Sequence, residues 1–237
     1  MRNIGFLLLA LLSLSYQKKD NNWAADPLNY LSDIKTELKK EWPNNRTINL
    51  VFHGHSVPAG YFKTPIVNTF DSYPFQVLKI LKEQYPFAVI NTINTSIGGE
   101  NSLSGEKRFE STVLIHQPDV LLIDYALNDR SIGLDQAAIA WSKMIEKAIE
   151  KKIKVILLTP SPDQRVDMLK PNNDLEKHAS QIRALAKKYD VGLVDSYEEF
   201  RKKVIAGEPV SNYMSQVNHP NEKGHLLIAN KIAAFFQ

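Results

Sequence analysis

The chain contains no cysteine, and that absence removes disulfides, thiolate metal sites, a cysteine nucleophile and c-type haem attachment. Lipid anchoring through an N-terminal cysteine goes with them, because the residue just past the first apolar run is Tyr16. An excess of charge of one sign is also missing: 29 basic and 26 acidic residues leave a net +3, with the lysines spread over several amphipathic segments. Nucleic acid is therefore not implied as a partner. No internal repeat, low-complexity linker or second-domain boundary is visible along the chain. What is present is 237 residues, 43% hydrophobic and 23% charged, enough for one globular domain with a sizeable core.

The long apolar run at the N-terminus follows a basic residue, Arg2, and spans residues 4–14, with Ser13 and Ser15 at A-x-A spacing. This pattern predicts a signal peptide over residues 1–15 and an exported, periplasmic or extracellular, mature protein. The run falls short of the ~20 apolar residues needed to cross a bilayer, so no stable membrane insertion is expected after cleavage. Residues 16–44 then read as a polar spacer and a helix, and residues 45–237 as the main domain.

Periodicity supplies the fold class. Leu28, Leu31, Ile34 and Leu38 recur at helical spacing over residues 26–40, and helices are likewise predicted over 74–85, from the Ser102 region to Gln117, over 134–151, 175–189 and 226–236. Between them lie short, β-branched apolar runs at 48–52, 87–93, 120–125, 155–158 and 191–194. Continuous apolar strands alternating with crossover helices predict a three-layer α/β/α sandwich around a mostly parallel sheet. In such sheets ligands bind beyond the carboxyl ends of the strands. Ser56, the turn Gly98-Gly99 and Asn128 each fall just past the end of a different predicted strand.

Those positions suit acyl chemistry. A serine hydroxyl attacks only when a base takes its proton, and His219, in a loop before the last helix, has the residue type to do so near neutrality. Backbone N–H groups of Ser56 and Gly99 and the amide of Asn128 would face a developing oxyanion.

Four blocks of residues resemble the SGNH hydrolase superfamily, the GDSL-type esterases: Gly54-His55-Ser56 with Ala59-Gly60-Tyr61, Asn94-Thr95-Ser96-Ile97-Gly98-Gly99, Ala126-Leu127-Asn128-Asp129, and His219-Pro220-Asn221-Glu222-Lys223-Gly224-His225. The resemblance implies a flavodoxin-like fold, Ser56 as nucleophile, His219 as base, Gly99 (with Gly98 as the alternative) and Asn128 as oxyanion donors, and no cofactor or metal. It implies an ester substrate, small or polysaccharide, with O-acetyl carbohydrate favoured by analogy. Two positions depart from the family pattern. His55 replaces the aspartate that follows the block-one glycine, and Gln216 occupies the place of the aspartate that orients the histidine. That orienting role then falls to Gln216, to a backbone carbonyl, or to an acid from elsewhere, Asp195 or Glu222. His55 is expected to support the Ser56 turn through hydrogen bonds.

Other readings of the same residues exist. Ser56 and Asn128 could simply cap helices and Gly98-Gly99 simply turn. His53 and His55, with His219 or Asp129, could hold a metal for a different kind of hydrolase. A catalytically silent glycan-binding protein would keep the fold and lose the acid, as Gln216 allows. His225 reads as packing or capping, Trp141, Met144 and Ile145 as a helix core face, and Tyr61, Phe62, Phe70 and Tyr73 as groove lining or sheet cover.

Overall fold

A computed structural model describes residues 24–237; the expected signal peptide lies outside the described residues. Strands β1 (Thr47–Gly54), β2 (Val89–Asn94), β3 (Val120–Asp124), β4 (Lys154–Leu158) and β5 (Gly192–Val194) form one parallel sheet in the order β2-β1-β3-β4-β5. The alternation of side chains along each strand divides the core into two layers. Leu50, Phe52, Leu122 and Ile156 face one side, where α1 (Ser32–Leu38), α3 (Tyr73–Gln84), α7 (Ser196–Ile205) and α8 (Glu222–Ala233) contribute Ile34, Leu38, Leu81, Phe200 and Ile228. Val51, Leu121, Ile123 and Leu157 face the other, against α4 (Ser102–Thr112), α5 (Gly133–Glu150) and α6 (Asp174–Tyr189). This is the expected three-layer architecture. Trp141, Met144 and Ile145 are buried on α5, as their spacing indicates.

The strand order reverses direction at β1 and β3, and such a switch point opens a crevice at the carboxyl ends. A one-turn helix, α2 (Ser56–Ala59), starts directly beyond β1. Four departures from the sequence reading matter. The first helix begins at Ser32, because the Asp26 carboxylate takes the Leu28 N–H at 3.1 Å and the Asn29 amide at 2.6 Å, and this turn leaves Leu28 67% exposed. The fourth helix ends at Thr112, and a 3-10 turn over Leu114–His116 precedes Gln117 at φ +46°. An unforeseen hairpin, β6 (Met214–Gln216) with β7 (His219–Pro220), pairs antiparallel before α8, and α7 was likewise not read from the sequence. Among the described residues no helix is long and apolar enough to cross a membrane.

Two histidines are buried in these layers. His225 accepts the Tyr73 N–H on Nδ1 at 3.1 Å and stacks on Phe62 at 4.7 Å, while the His53 ring, from β1, packs against Gly105 and Phe109 of α4 and against Tyr125 just past β3. Burial drives His225 down to about 3, with help from His219, and His53 down to about 4, with help from Arg108, against an ordinary 6.5. Both rings are neutral when folded and take up a proton on unfolding once pH falls below 6.5. Stability is therefore lost as pH falls below that value, at about 1.4 kcal/mol per pH unit for each ring. Urea unfolding midpoints should drop between about pH 7 and about pH 5; a flat profile over that interval contradicts this.

Candidate active site

The turn at Ser56 is built on a close approach. A Cβ at Gly54 would sit 2.4 Å from the Asp124 carbonyl oxygen, so only glycine lets β1 and β3 meet there. His55 follows in extended conformation as N-cap of α2, and its Nδ1 accepts the Val57 N–H at 3.2 Å. That bond puts the ring proton on Nε2, which lies 3.4 Å from Asp124 Oδ1. The Tyr73 hydroxyl donates to the other carboxylate oxygen at 3.0 Å. The His55 ring thus lies between the Ser56 turn and Asp124, a buried acid that position 55 itself lacks. Ser56 opens α2, whose first N–H groups have no partner inside the helix.

The hairpin sets Gln216 opposite His219 in register. His219 Nε2 lies 2.9 Å from Ser56 Oγ. On the ring's far side, Nδ1 lies 3.1 Å from the Phe62 carbonyl oxygen and 2.7 Å from Gln216 Nε2. A carbonyl only accepts, so the Phe62 contact requires Nδ1–H and leaves Nε2 free to take the Ser56 proton. An amide N–H only donates; it can bond Nδ1 only in the opposite tautomer, in which Nε2 is already protonated. The Gln216 oxygen, expected as a possible acceptor, is instead engaged by the Thr64 N–H at 3.0 Å, which turns the amide nitrogen towards the histidine. Asp195 and Glu222 are not at the ring. Asp195 caps α7 and pairs with Arg183 at 2.6 Å, and Glu222 is an exposed first residue of α8. Burial lowers the His219 pKa from 6.5, the Phe62 carbonyl opposes this in part, and His55 adds to the lowering.

Gly99 follows β2 with φ +79°, a left-handed conformation that disfavours any side chain, although no atom lies within 4 Å of where its Cβ would be. Backbone direction, not space, requires glycine here. Asn128 donates one amide hydrogen to the Glu100 carbonyl at 2.9 Å and has a second to offer. Ser56, Gly99, Asn128 and His219 line one open cleft of about 390 Å³, with Tyr61, Thr64, Gly98, Gln216 and Asn218 as its remaining walls. Among the described residues no aliphatic side chain lines it.

His53 and His55 do not converge, despite their i, i+2 spacing. His53 Nδ1 meets Thr95 Oγ1 at 2.9 Å and its Nε2 meets the Tyr125 hydroxyl at 3.2 Å, while Asp129 is occupied by the Ser102 N–H and Trp141 Nε1. Among the described residues no three His, Cys, Asp or Glu side chains are grouped to hold a metal ion. The metal reading of these histidines is thereby not supported. Of the aromatics, Tyr61 lines the cleft, Phe62 and Tyr73 are buried, and Phe70 is 83% exposed.

A family model described as GDSL-like Lipase/Acylhydrolase matches residues 52–227. The chain belongs to this family. It is an ester-hydrolysing serine hydrolase of the SGNH type. A comparison with curated proteins finds no match. Among solved structures, this GDSL-like hydrolase resembles Axe2, an acetylxylan esterase from Geobacillus stearothermophilus, with TM-score 0.70 at 19% identity over 80% of this chain and 94% of that one. It also resembles a two-domain esterase active on acetylated mannans, co-crystallised with mannopentaose, with TM-score 0.72 at 23% identity over 93% of this chain and 57% of that one. At these identities the likeness is one of fold.

If Phe62 and not Gln216 orients the base, Gln216→Ala loses less than about tenfold in kcat/KM, far short of the roughly 10⁴ that removal of a triad aspartate costs. The acid limb of the kcat/KM profile should lie below pH 6.5, because the folded ring binds its proton less tightly than a free one. Gln216→Asp sets a carboxylate beside Nδ1, favours the imidazolium and moves that limb upward. A large loss in Gln216→Ala, or an unmoved limb in Gln216→Asp, contradicts this arrangement.

Proposed function

We propose that the protein is an exported O-acetyl esterase acting on carbohydrate, working through an acyl-serine intermediate on a Ser56–His219 dyad. The observation that carries the reading is the 2.9 Å contact between Ser56 Oγ and His219 Nε2, with Nδ1 set against a backbone carbonyl. Ser56 Oγ attacks the ester carbonyl carbon while His219 Nε2 takes its proton. The N–H groups of Ser56 and Gly99 and the free amide hydrogen of Asn128 hold the oxyanion, a contribution worth on the order of 10²–10³ in rate per donor. The tetrahedral intermediate collapses, the C–O bond to the alcohol breaks, and His219 gives the alcohol its proton. Water then attacks the acyl-serine, again losing its proton to His219, and the free acid leaves with Ser56 restored.

Two features support the substrate class. The cleft walls are polar or small, apart from Tyr61, and hold no aliphatic surface for a long acyl chain. Hydroxyls and amides at Thr64, Gln216 and Asn218 suit an alcohol rich in hydroxyls. The similarity to esterases of acetylated xylan and mannan points the same way. Export rests on Arg2 and the apolar run over residues 4–14.

The test compares acetylated xylo- and manno-oligosaccharides with nitrophenyl acetate and nitrophenyl octanoate. Acetyl release should exceed octanoyl release by at least about tenfold, since each unfilled or misfitted methylene group is worth only a modest factor. Turnover should resist chelators, disappear with a serine-reactive phosphonate that labels Ser56, and fall by several orders of magnitude in Ser56→Ala. Preference for octanoate overturns the substrate class. Absence of turnover on every ester favours the glycan-binding reading.

A further inference from the structure

Beside the cleft lies a buried charged cluster that the dyad does not use. Glu100, the residue after Gly99, turns its carboxylate away from the cleft into a side chain 9% exposed. Arg108 from α4 holds it at both oxygens, through Nε on Oε1 at 2.8 Å and through Nη2 on Oε2. The Tyr125 hydroxyl, from the end of β3, donates to Oε2 at 2.8 Å, and His53 Nε2 meets that hydroxyl at 3.2 Å. Burial raises the Glu100 pKa, but the bonds from Arg108 and Tyr125 outweigh it and hold the carboxyl below the usual range, so it is ionised. The main chain of the same residue points back to the site. Its N–H closes the turn on the Ile97 carbonyl at 3.2 Å, and its own carbonyl takes the Asn128 amide at 2.9 Å.

Glu100 therefore joins two oxyanion donors that come from different strands. Its N–H bond to Ile97 closes the turn that contains the Gly98–Gly99 peptide, and its carbonyl holds the Asn128 amide. Neither donor has another side-chain tether: Gly99 has no side chain, and Asn128 Nδ2 bonds only the Glu100 carbonyl among the described residues. We propose that Glu100, clamped by Arg108 and Tyr125, is the positioning residue that aligns the Gly99 N–H and the Asn128 amide as one oxyanion site. A carboxylate suits this place because two guanidinium hydrogens and one hydroxyl approach it from fixed directions, and bidentate pairing defines orientation as well as distance.

This rests on the oxyanion assignment made above, and the experiment separates the two. Glu100→Ala, Glu100→Gln, Tyr125→Phe, Asn128→Ala and the Glu100→Ala/Asn128→Ala pair are assayed with nitrophenyl acetate. Rates are expressed per phosphonate-titrated site, so misfolded protein does not count. Glu100→Ala should lower kcat at least about tenfold with KM within about twofold, and weaken inhibition by a boronic acid, a tetrahedral anion mimic, in the same proportion. Glu100→Gln, which keeps one acceptor, should recover part of the loss, and Tyr125→Phe should give a smaller loss of the same kind. The acid limb of the pH profile should not move, since His219 is untouched. In the double variant the losses should fall short of their product, because both changes act on one site.

Two outcomes overturn the proposal. In the first, Asn128→Ala is severely slowed while Glu100→Ala and Tyr125→Phe keep kcat and boronate affinity within twofold, or their losses vanish per titrated site. The clamp alone is then wrong. In the second, Asn128→Ala itself costs nothing, and the oxyanion assignment falls together with the proposal.

Discussion

The proposed dyad depends on one contact between a ring nitrogen and a main-chain oxygen, His219 Nδ1 and the Phe62 carbonyl at 3.1 Å. Serine is inert at neutral pH unless a neutral imidazole offers it a lone pair, and that lone pair is on Nε2 only while Nδ1 keeps its proton. Much of the surrounding structure serves this contact. The loop after α2 delivers the Phe62 carbonyl, and the Phe62 ring is stacked against His225, itself held by the Tyr73 N–H. The β6–β7 hairpin presents the histidine, and Asn221 caps α8 immediately behind it. A backbone dipole can orient a ring and stabilise its proton, but carries less charge than a carboxylate. Burial lowers the affinity of His219 for a second proton, the Phe62 carbonyl offsets this only in part, and His55 adds to the lowering.

Acidic side chains are present in the region, yet they are placed away from His219. Asp124 lies beneath the Ser56 turn with His55 and Tyr73, and Glu100 lies beyond the Gly98-Gly99 turn with Arg108 and Tyr125. Buried pairs of this kind recover little net stability, because desolvation offsets much of their attraction. Their directional bonds do constrain loops whose backbone must aim N–H groups at one point. The two clusters flank Ser56 on either side of β1, and each fixes a turn that a solvated side chain would leave free to move.

The fold was legible because it rests on patterns that extend over many residues. Continuous apolar runs predicted buried parallel strands, and the placement of Ser56, Gly99 and Asn128 past three strand ends predicted their convergence, which the cleft contains. The hairpin escaped notice because β7 has two residues and no periodicity can show in so short a segment. Phe62 could be noticed as an aromatic, but its carbonyl carries no side-chain signal at all. Asp124 was hidden as the last residue of an apolar strand, and Glu100 follows the Gly98-Gly99 turn with no periodic pattern to mark it. The Gln216 amide was foreseen as an acceptor, but its orientation is set by the Thr64 N–H, from a loop 152 positions away in sequence. His53 and His55 were paired by strand alternation, and the alternation fails because the strand ends at Gly54 between them.

The most direct test of this account is the tautomer of His219 in the resting protein, read from ring nitrogen shifts in a ¹⁵N-histidine-labelled sample above the ring's pKa. The account predicts a protonated Nδ1 and an unprotonated Nε2. An Nε2–H ring, with Nδ1 accepting from the Gln216 amide, would contradict it.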